Sequence, residues 1–137
     1  MRRKLLVLAG AAGAIAAAST SCGAGGDDKI HGVDTNDAKA VAGAYVLDQL
    51  VCTKASLGRQ YDYLSDPPKD RAAYVARQKA ACRPLGPAKL QQDVVRSGDK
   101  TRVVEVQFVT GSGTGSTRIQ LTDHGDGYRV DRVTSAS

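Results

Sequence analysis

The chain has 137 residues, of which 42% are hydrophobic and 24% charged, and its formal net charge is +5. That length holds one small core and leaves no room for a second within these residues. The basicity is not that of a nucleic-acid binder. Arg2, Arg3 and Lys4 stand ahead of an apolar run, the remaining 16 basic residues nearly balance 14 acidic ones, and only 4% of residues are aromatic.

After "MRRK", residues 5–18 are small or apolar and carry no charge. The run is shorter than the roughly 20 residues that cross a bilayer, so it reads as a secretory signal rather than a transmembrane helix. Residues 19–22, "STSC", resemble the lipobox of bacterial lipoproteins, where small residues precede a cysteine that becomes the lipidated N-terminus. Thr20, Ser21 and Cys22 suit that pattern, while Ser19 stands where the family usually carries an aliphatic residue. The resemblance implies a signal peptide over 1–21, a lipid on Cys22, and anchoring at the extracytoplasmic face of the cell membrane. A secreted protein cleaved near Ala16-Ala17-Ala18 is the alternative.

Cys22, Cys52 and Cys82 are an odd total for an exported chain. With Cys22 on a lipid, Cys52 and Cys82 remain as an even pair that oxidises to one disulfide outside the cytoplasm. Two buried, reduced thiols are the alternative.

Residues 22–33 are rich in glycine and aspartate without apolar period and read as a flexible tether. His31 lies within it as a solvated side chain. The folded domain is expected over 34–134. Asp34, Thr35, Asn36 and Asp37 form a cluster of helix-capping residues. Behind them, Val41, Ala44, Leu47 and Val51 mark the face of a first helix, with Tyr45 beside it. Gly58 bends or ends that helix, and Pro67-Pro68 stops the chain that follows. A second helix starts at Lys69 or Asp70, with Ala72, Val75, Ala76, Lys79 and Cys82 on one side.

Past Pro87 the period changes from 3.6 to 2. "KLQQDVVRS" is a weak strand and "TRVVEVQFVT" a strong one, with Val104, Val106 and Phe108 on one face. "STRIQLTD" puts Ile119 and Leu121 on one face, and "YRVDRV" does the same with Tyr128 and Val130. Glycine-rich turns separate the strands. The fold class is therefore α+β: two N-terminal helices packed on the aliphatic face of a curved four-stranded antiparallel sheet.

Element order, the proline turn and the closing "DGYRVDRV" resemble the nuclear-transport-factor-2-like fold or cystatin-like roll, including minimal versions in bacterial lipoproteins of unknown function. The resemblance implies a cone between helices and sheet. It does not choose an activity, because that fold hosts isomerases, dehydratases, binding modules and assembly domains.

The cone is expected to hold Tyr45, Tyr128 and Phe108 among aliphatic side chains, with no carboxylate or imidazole to move a proton. Non-catalytic binding is thus the expected activity, with no metal and no cofactor. Its partner beyond the membrane, an envelope protein or a small ligand, is open. A small envelope enzyme using Tyr45 or Tyr128 and an assembly subunit are the alternatives. Arg102, Arg118, Arg129 and Arg132 mark a possible basic docking face on the polar side of the sheet. "GSGTGS" joins two strands and offers no helix N-terminus to a phosphate. "DHGDG" lacks the spaced acidic ligands of a calcium loop and reads as a tight turn.

Overall fold

A computed structural model describes residues 29–135. The expected signal peptide, Cys22 and the first part of the expected tether lie outside the described residues. Among the described residues no helix is long and apolar enough to cross a membrane.

The chain enters as a hairpin, not a tether. β1 (Lys29–Ile30) pairs antiparallel with β2 (Val33–Asp34). His31 and Gly32 turn it with both φ values positive, 52° and 79°, the backbone a two-residue hairpin loop requires. Ile30 and Val33 pack against the main core, and Thr35 behind them is buried. The domain therefore starts before residue 34.

α1 (Ala38–Val51) starts where Asp37 accepts from the backbone N–H groups of Lys39 and Ala40, at 3.0 and 3.3 Å. Its buried face is Ala38, Val41, Ala42, Val46 and Leu50. The expected face is corrected: Leu47 and Val51 are exposed. Alanines at 38, 40, 42 and 44 let the apolar pattern be drawn along either of two adjacent stripes, and the sheet selects the one with Val46 and Leu50.

The helix does not run on to Gly58. Cys52 ends it in the left-handed conformation, and Thr53 caps a new helix, α2 (Lys54–Asp62). Thr53 Oγ1 accepts from the Ser56 N–H at 3.0 Å, and Ser56 Oγ accepts from the Thr53 N–H at 2.9 Å. That reciprocal cap satisfies two donors at the helix start. Gly58 lies inside α2. α3 (Arg71–Ala81) begins after Asp70, whose carboxylate accepts from the Ala73 N–H. Among the described residues there are thus three helices, not two, and α3 packs on α2 rather than on the sheet. Its buried residues are Tyr74 and Val75; Ala72, Ala76 and Lys79 are exposed.

Four strands complete the fold: β3 (Ala88–Ser97), β4 (Thr101–Thr110), β5 (Gly113–Asp123) and β6 (Tyr128–Ser135). They form an antiparallel meander in sequence order. Val104, Val106, Ile119, Leu121, Tyr128 and Val130 line the inner face and, with α1 and Tyr63, form the main core. The free edge of β6 is covered. Tyr128 N–H donates to Thr35 O, Val130 N–H to Tyr63 O and Ser65 N–H to Val130 O, at 2.6, 2.7 and 2.9 Å. Gly127 makes this closure possible: its φ is 106°, and a Cβ there would lie 2.6 Å from Thr35 Cβ and 2.9 Å from Thr35 O.

Two β-bulges interrupt the alternation, one in β3 between Val94 and Arg96 and one in the β5–β6 pairing at Gln120–Leu121. Cys52 and Cys82 are joined by a disulfide, their Cα atoms 6.0 Å apart. The bridge ties the end of α1 to the end of α3.

Candidate functional site

A cleft of about 460 Å³ opens between α1 and the open end of the sheet. One side is the α1 stripe of Tyr45, Gln49 and Leu50, and the other is Phe108 of β4 and Val133 of β6; Gln78 of α3 closes the rim. Helical spacing brings 45 and 49 onto one face. Phe108 is set by its cross-strand partner Gly115. A Cβ at Gly115 would lie 2.3 Å from the ring, so only glycine lets the ring lie flat there.

Two residues of the cleft, Tyr45 and Gln49, are backed by a buried relay. Gln60 of α2 is wholly buried and donates to Gln49 Oε1 at 2.7 Å and to the Tyr45 carbonyl at 3.3 Å. Its own Oε1 accepts from the Tyr74 hydroxyl at 2.6 Å. The Tyr45 and Tyr74 hydroxyls also lie close enough to influence one another's protonation. Three helices are thereby coupled through the neutral amide of Gln60, which is bonded through both its nitrogen and its oxygen, as burial demands.

Burial raises the Tyr45 pKa, an effect the neighbouring Tyr74 partly offsets. Tyr74 is raised as well, by burial and then by Tyr45. Both hydroxyls therefore stay protonated at neutral pH. No carboxylate or imidazole is among the side chains lining the cleft. Its polar chemistry is the amides of Gln49 and Gln78 and the hydroxyls of Tyr45, Ser116, Thr117, Thr134 and Ser135, set beside Leu50 and Phe108. That combination orients a ligand by hydrogen bonds and holds it by apolar contact.

The structure brings together two of the three expected pocket residues. Tyr45 and Phe108 meet in the cleft. Tyr128 does not join them: it is 9% exposed, lies at the closed end of the sheet beside Thr35, and carries the Arg102 guanidinium 5.6 Å above its ring. Gln49, Gln60, Tyr74 and Gln78 went unnoticed in the sequence. No local pattern separates a buried glutamine from a solvated one on a helix.

The expected docking face also divides. Arg118 and Arg132 share a concavity on the outer sheet face, joined there by Arg96, which sequence reasoning missed. Arg102 is corrected to the inner-face row, since it pairs with Leu121, and its guanidinium donates to the Gly98 and Thr101 carbonyls. Arg129 is engaged by Asp126, at 3.4 Å. His31, read as solvated, lies 2.7 Å from Asp62, which also pairs with Arg71 at 2.8 Å. In the 123–127 turn the Asp123 carboxylate accepts from the Gly125 and Gly127 N–H groups. Among the described residues no three His, Cys, Asp or Glu side chains gather to hold a metal.

No family model matches this chain, and no curated protein matches its sequence. One solved structure with which it overlaps is a designed nuclear-transport-factor-2-like protein. The identity is 9% and the TM-score 0.42, over 68% of this chain and 95% of that one. At that score the overlap decides neither fold family nor function.

Proposed function

We propose that this protein is a lipid-anchored, extracytoplasmic binding module built as a small cystatin-like or nuclear-transport-factor-2-like roll. In this reading residues 1–21 are removed, Cys22 carries the lipid, and the cleft beside Tyr45 takes a small, neutral, partly apolar ligand without transforming it. The observation that carries the binding half is the cleft lining. Its polar side chains are neutral, Tyr45 and Gln49 are held by buried Gln60, and its one titrating group is pushed further from neutrality by burial. A general acid or base works best with a pKa near the working pH, and Tyr45 is moved the other way. The anchoring half rests on the apolar leader and "STSC", supported by a disulfide that uses the other two cysteines and leaves Cys22 over.

The binding half is tested with a neutral apolar fluorophore, N-phenyl-1-naphthylamine, titrated into the purified chain. Saturable fluorescence is expected, weakened about tenfold in Phe108→Ala, where apolar contact worth roughly 1.5–3 kcal/mol is lost. It is weakened also in Gly115→Val, whose side chain drives the ring into the cleft. Binding that both variants leave unchanged would show that the cleft is not the site. For the anchoring half, the wild type expressed in a bacterium should enter the detergent phase on partition and Cys22→Ser the aqueous phase. Wild type in the aqueous phase rules the anchor out.

A further inference from the structure

The outer face of the sheet carries a second concavity, separate from the cleft, of about 320 Å³. Its walls are Arg96, Arg118 and Arg132, and its floor is Val103 and Gln120. The strand register explains the grouping. Arg96 is the partner of Val103, Val103 of Gln120, and Gln120 of Arg132, so one row crosses all four strands. Strands lie about 4.8 Å apart, which puts Arg96 and Arg132 roughly 14 Å apart at their backbones. Arg118 sits two residues from Gln120 on the same strand and the same face, beside that row.

Both ends of the row are delivered by bulges. Val94 is the partner of inner-face Val104, and simple alternation would send Arg96 inward with it. The bulge between them sets Arg96 opposite outer-face Val103 instead. In β6, Val130 is the partner of inner-face Leu121, yet the second bulge sets Arg132 opposite Gln120. Bulges re-aim side chains at the expense of local pairing, and here two of them aim arginines at one place.

Among the described residues these three guanidinium groups have no ion-pair partner, although carboxylates are near. Glu105 is the cross-strand partner of Arg118 but accepts from the Ser116 hydroxyl at 3.0 Å. Asp131 accepts from Ser65 and Thr122. Arg129, by contrast, has Asp126, and Arg102 has backbone carbonyls. Like charges facing one cleft cost stability until a counter-charge sits between them. Guanidinium forks match phosphate oxygens two at a time.

We propose that Arg96, Arg118 and Arg132 form a binding site for an extended phosphate chain, with linked phosphates lying along the row over Val103 and Gln120. Across a row roughly 14 Å wide at the backbones, a chain of linked phosphates offers each fork its own oxygens, which a single phosphate would have to share among three. The proposal is independent of the cleft and of the lipid.

The test is calorimetric titration of the purified chain at low salt with inorganic tripolyphosphate, inorganic phosphate, and vesicles of phosphatidylglycerol in phosphatidylcholine. Tripolyphosphate is expected to bind, at least tenfold more tightly than phosphate, and to weaken with added salt. Arg96→Ala, Arg118→Ala and Arg132→Ala should each weaken it about tenfold or more, the scale of a lost charge-assisted contact. Arg129→Ala removes the same net charge a short distance away and should change affinity less than twofold. No binding of tripolyphosphate overturns the proposal. So does an equal loss in Arg129→Ala, which would mean undirected attraction, equal affinity for single phosphate, or a preference for the vesicles. Thermal unfolding of each variant separates a lost contact from a lost fold.

Discussion

Beneath α1, Val41, Ala42, Val46 and Leu50 meet Val104, Val106, Ile119, Leu121 and Val130 in a continuous aliphatic contact. The α2–α3 corner buries only Leu57, Tyr74 and Val75 as its apolar cluster. That is little apolar contact for an 11-residue helix to rest on, even with Tyr61, Leu64 and Cys82 partly buried against it. The corner is held instead by the Cys52–Cys82 bridge, by the Gln60–Tyr74 hydrogen bond, and by Arg71, which donates to Asp62 and to the Gly58 carbonyl. One half of the molecule is stabilised by area and the other by specific bonds. The cleft lies on the seam between them, with Tyr45, Gln49 and Gln78 contributed from the helices and Phe108 from the sheet.

The contrast breaks most deeply at Leu121. Leu121→Ala should cost about 4 kcal/mol, within the usual range for a fully buried leucine. The loss should be global, so that urea unfolding shifts for every probe together. Replacing Cys52 and Cys82 by serine releases a loop of 30 residues and should cost about 3.6 kcal/mol in the chain-entropy account. Here hydrogen exchange should separate the halves: amides of α3 lose protection while those of β4 and β5 keep most of theirs. Equal loss in both would show that the corner is part of one cooperative core. Tyr74→Phe leaves Gln60 Oε1 without its hydroxyl donor and should cost roughly 1–3 kcal/mol, with exchange quickening first in α2 and α3.

The smallest effect belongs to Asp48, where α1 meets α2. Its carboxyl is 6% exposed as a residue and accepts from Arg59 at 3.2 Å. Burial nevertheless raises its pKa above the ordinary 3.8, outweighing Arg59. Above pH 3.8 the folded chain keeps a proton that the unfolded chain has released. Stability therefore falls as pH rises from 3.8 through the raised value, then levels. Asp48→Asn should flatten that slope in urea midpoints taken between pH 3.5 and 6; a wild type gaining stability over the variant across that range would reverse the assignment.

Much of the sheet was legible because its residues alternate. "VVEVQF" and "RIQL" declare an inner face by period two, and Val104, Val106, Ile119 and Leu121 are all wholly buried. The helices were less so. Gly58 looked like the bend, but the real break needed Thr53 and Ser56 to cap one another and Cys52 to turn left-handed. On α3, Ala72, Val75, Ala76, Lys79 and Cys82 made a plausible stripe; the structure keeps Val75 inward but turns Tyr74 in beside it, where its hydroxyl finds Gln60, and leaves Ala72, Ala76 and Lys79 exposed. The "KIHGVD" segment read as tether, since two-residue strands carry no period to detect. Of the cleft, Tyr45 and Phe108 were visible as large residues on apolar faces, and the glutamines were not.

From sequence alone came the α+β class, the order of helices before the four-stranded sheet, the even cysteine pair and the aliphatic strand face. Each follows from local composition or a short period, which chain neighbours determine between themselves. Tertiary structure alone decided which stripe of α1 is buried, where Tyr74 and Gln60 meet, and which arginines share a surface. The last depends on two bulges. One extra residue in a strand exchanges its faces from that point on, and no residue type at Val94–Arg96 or Val130–Arg132 marks the place. Arg96 and Arg132 reach the same side because the pairing of whole strands puts them there.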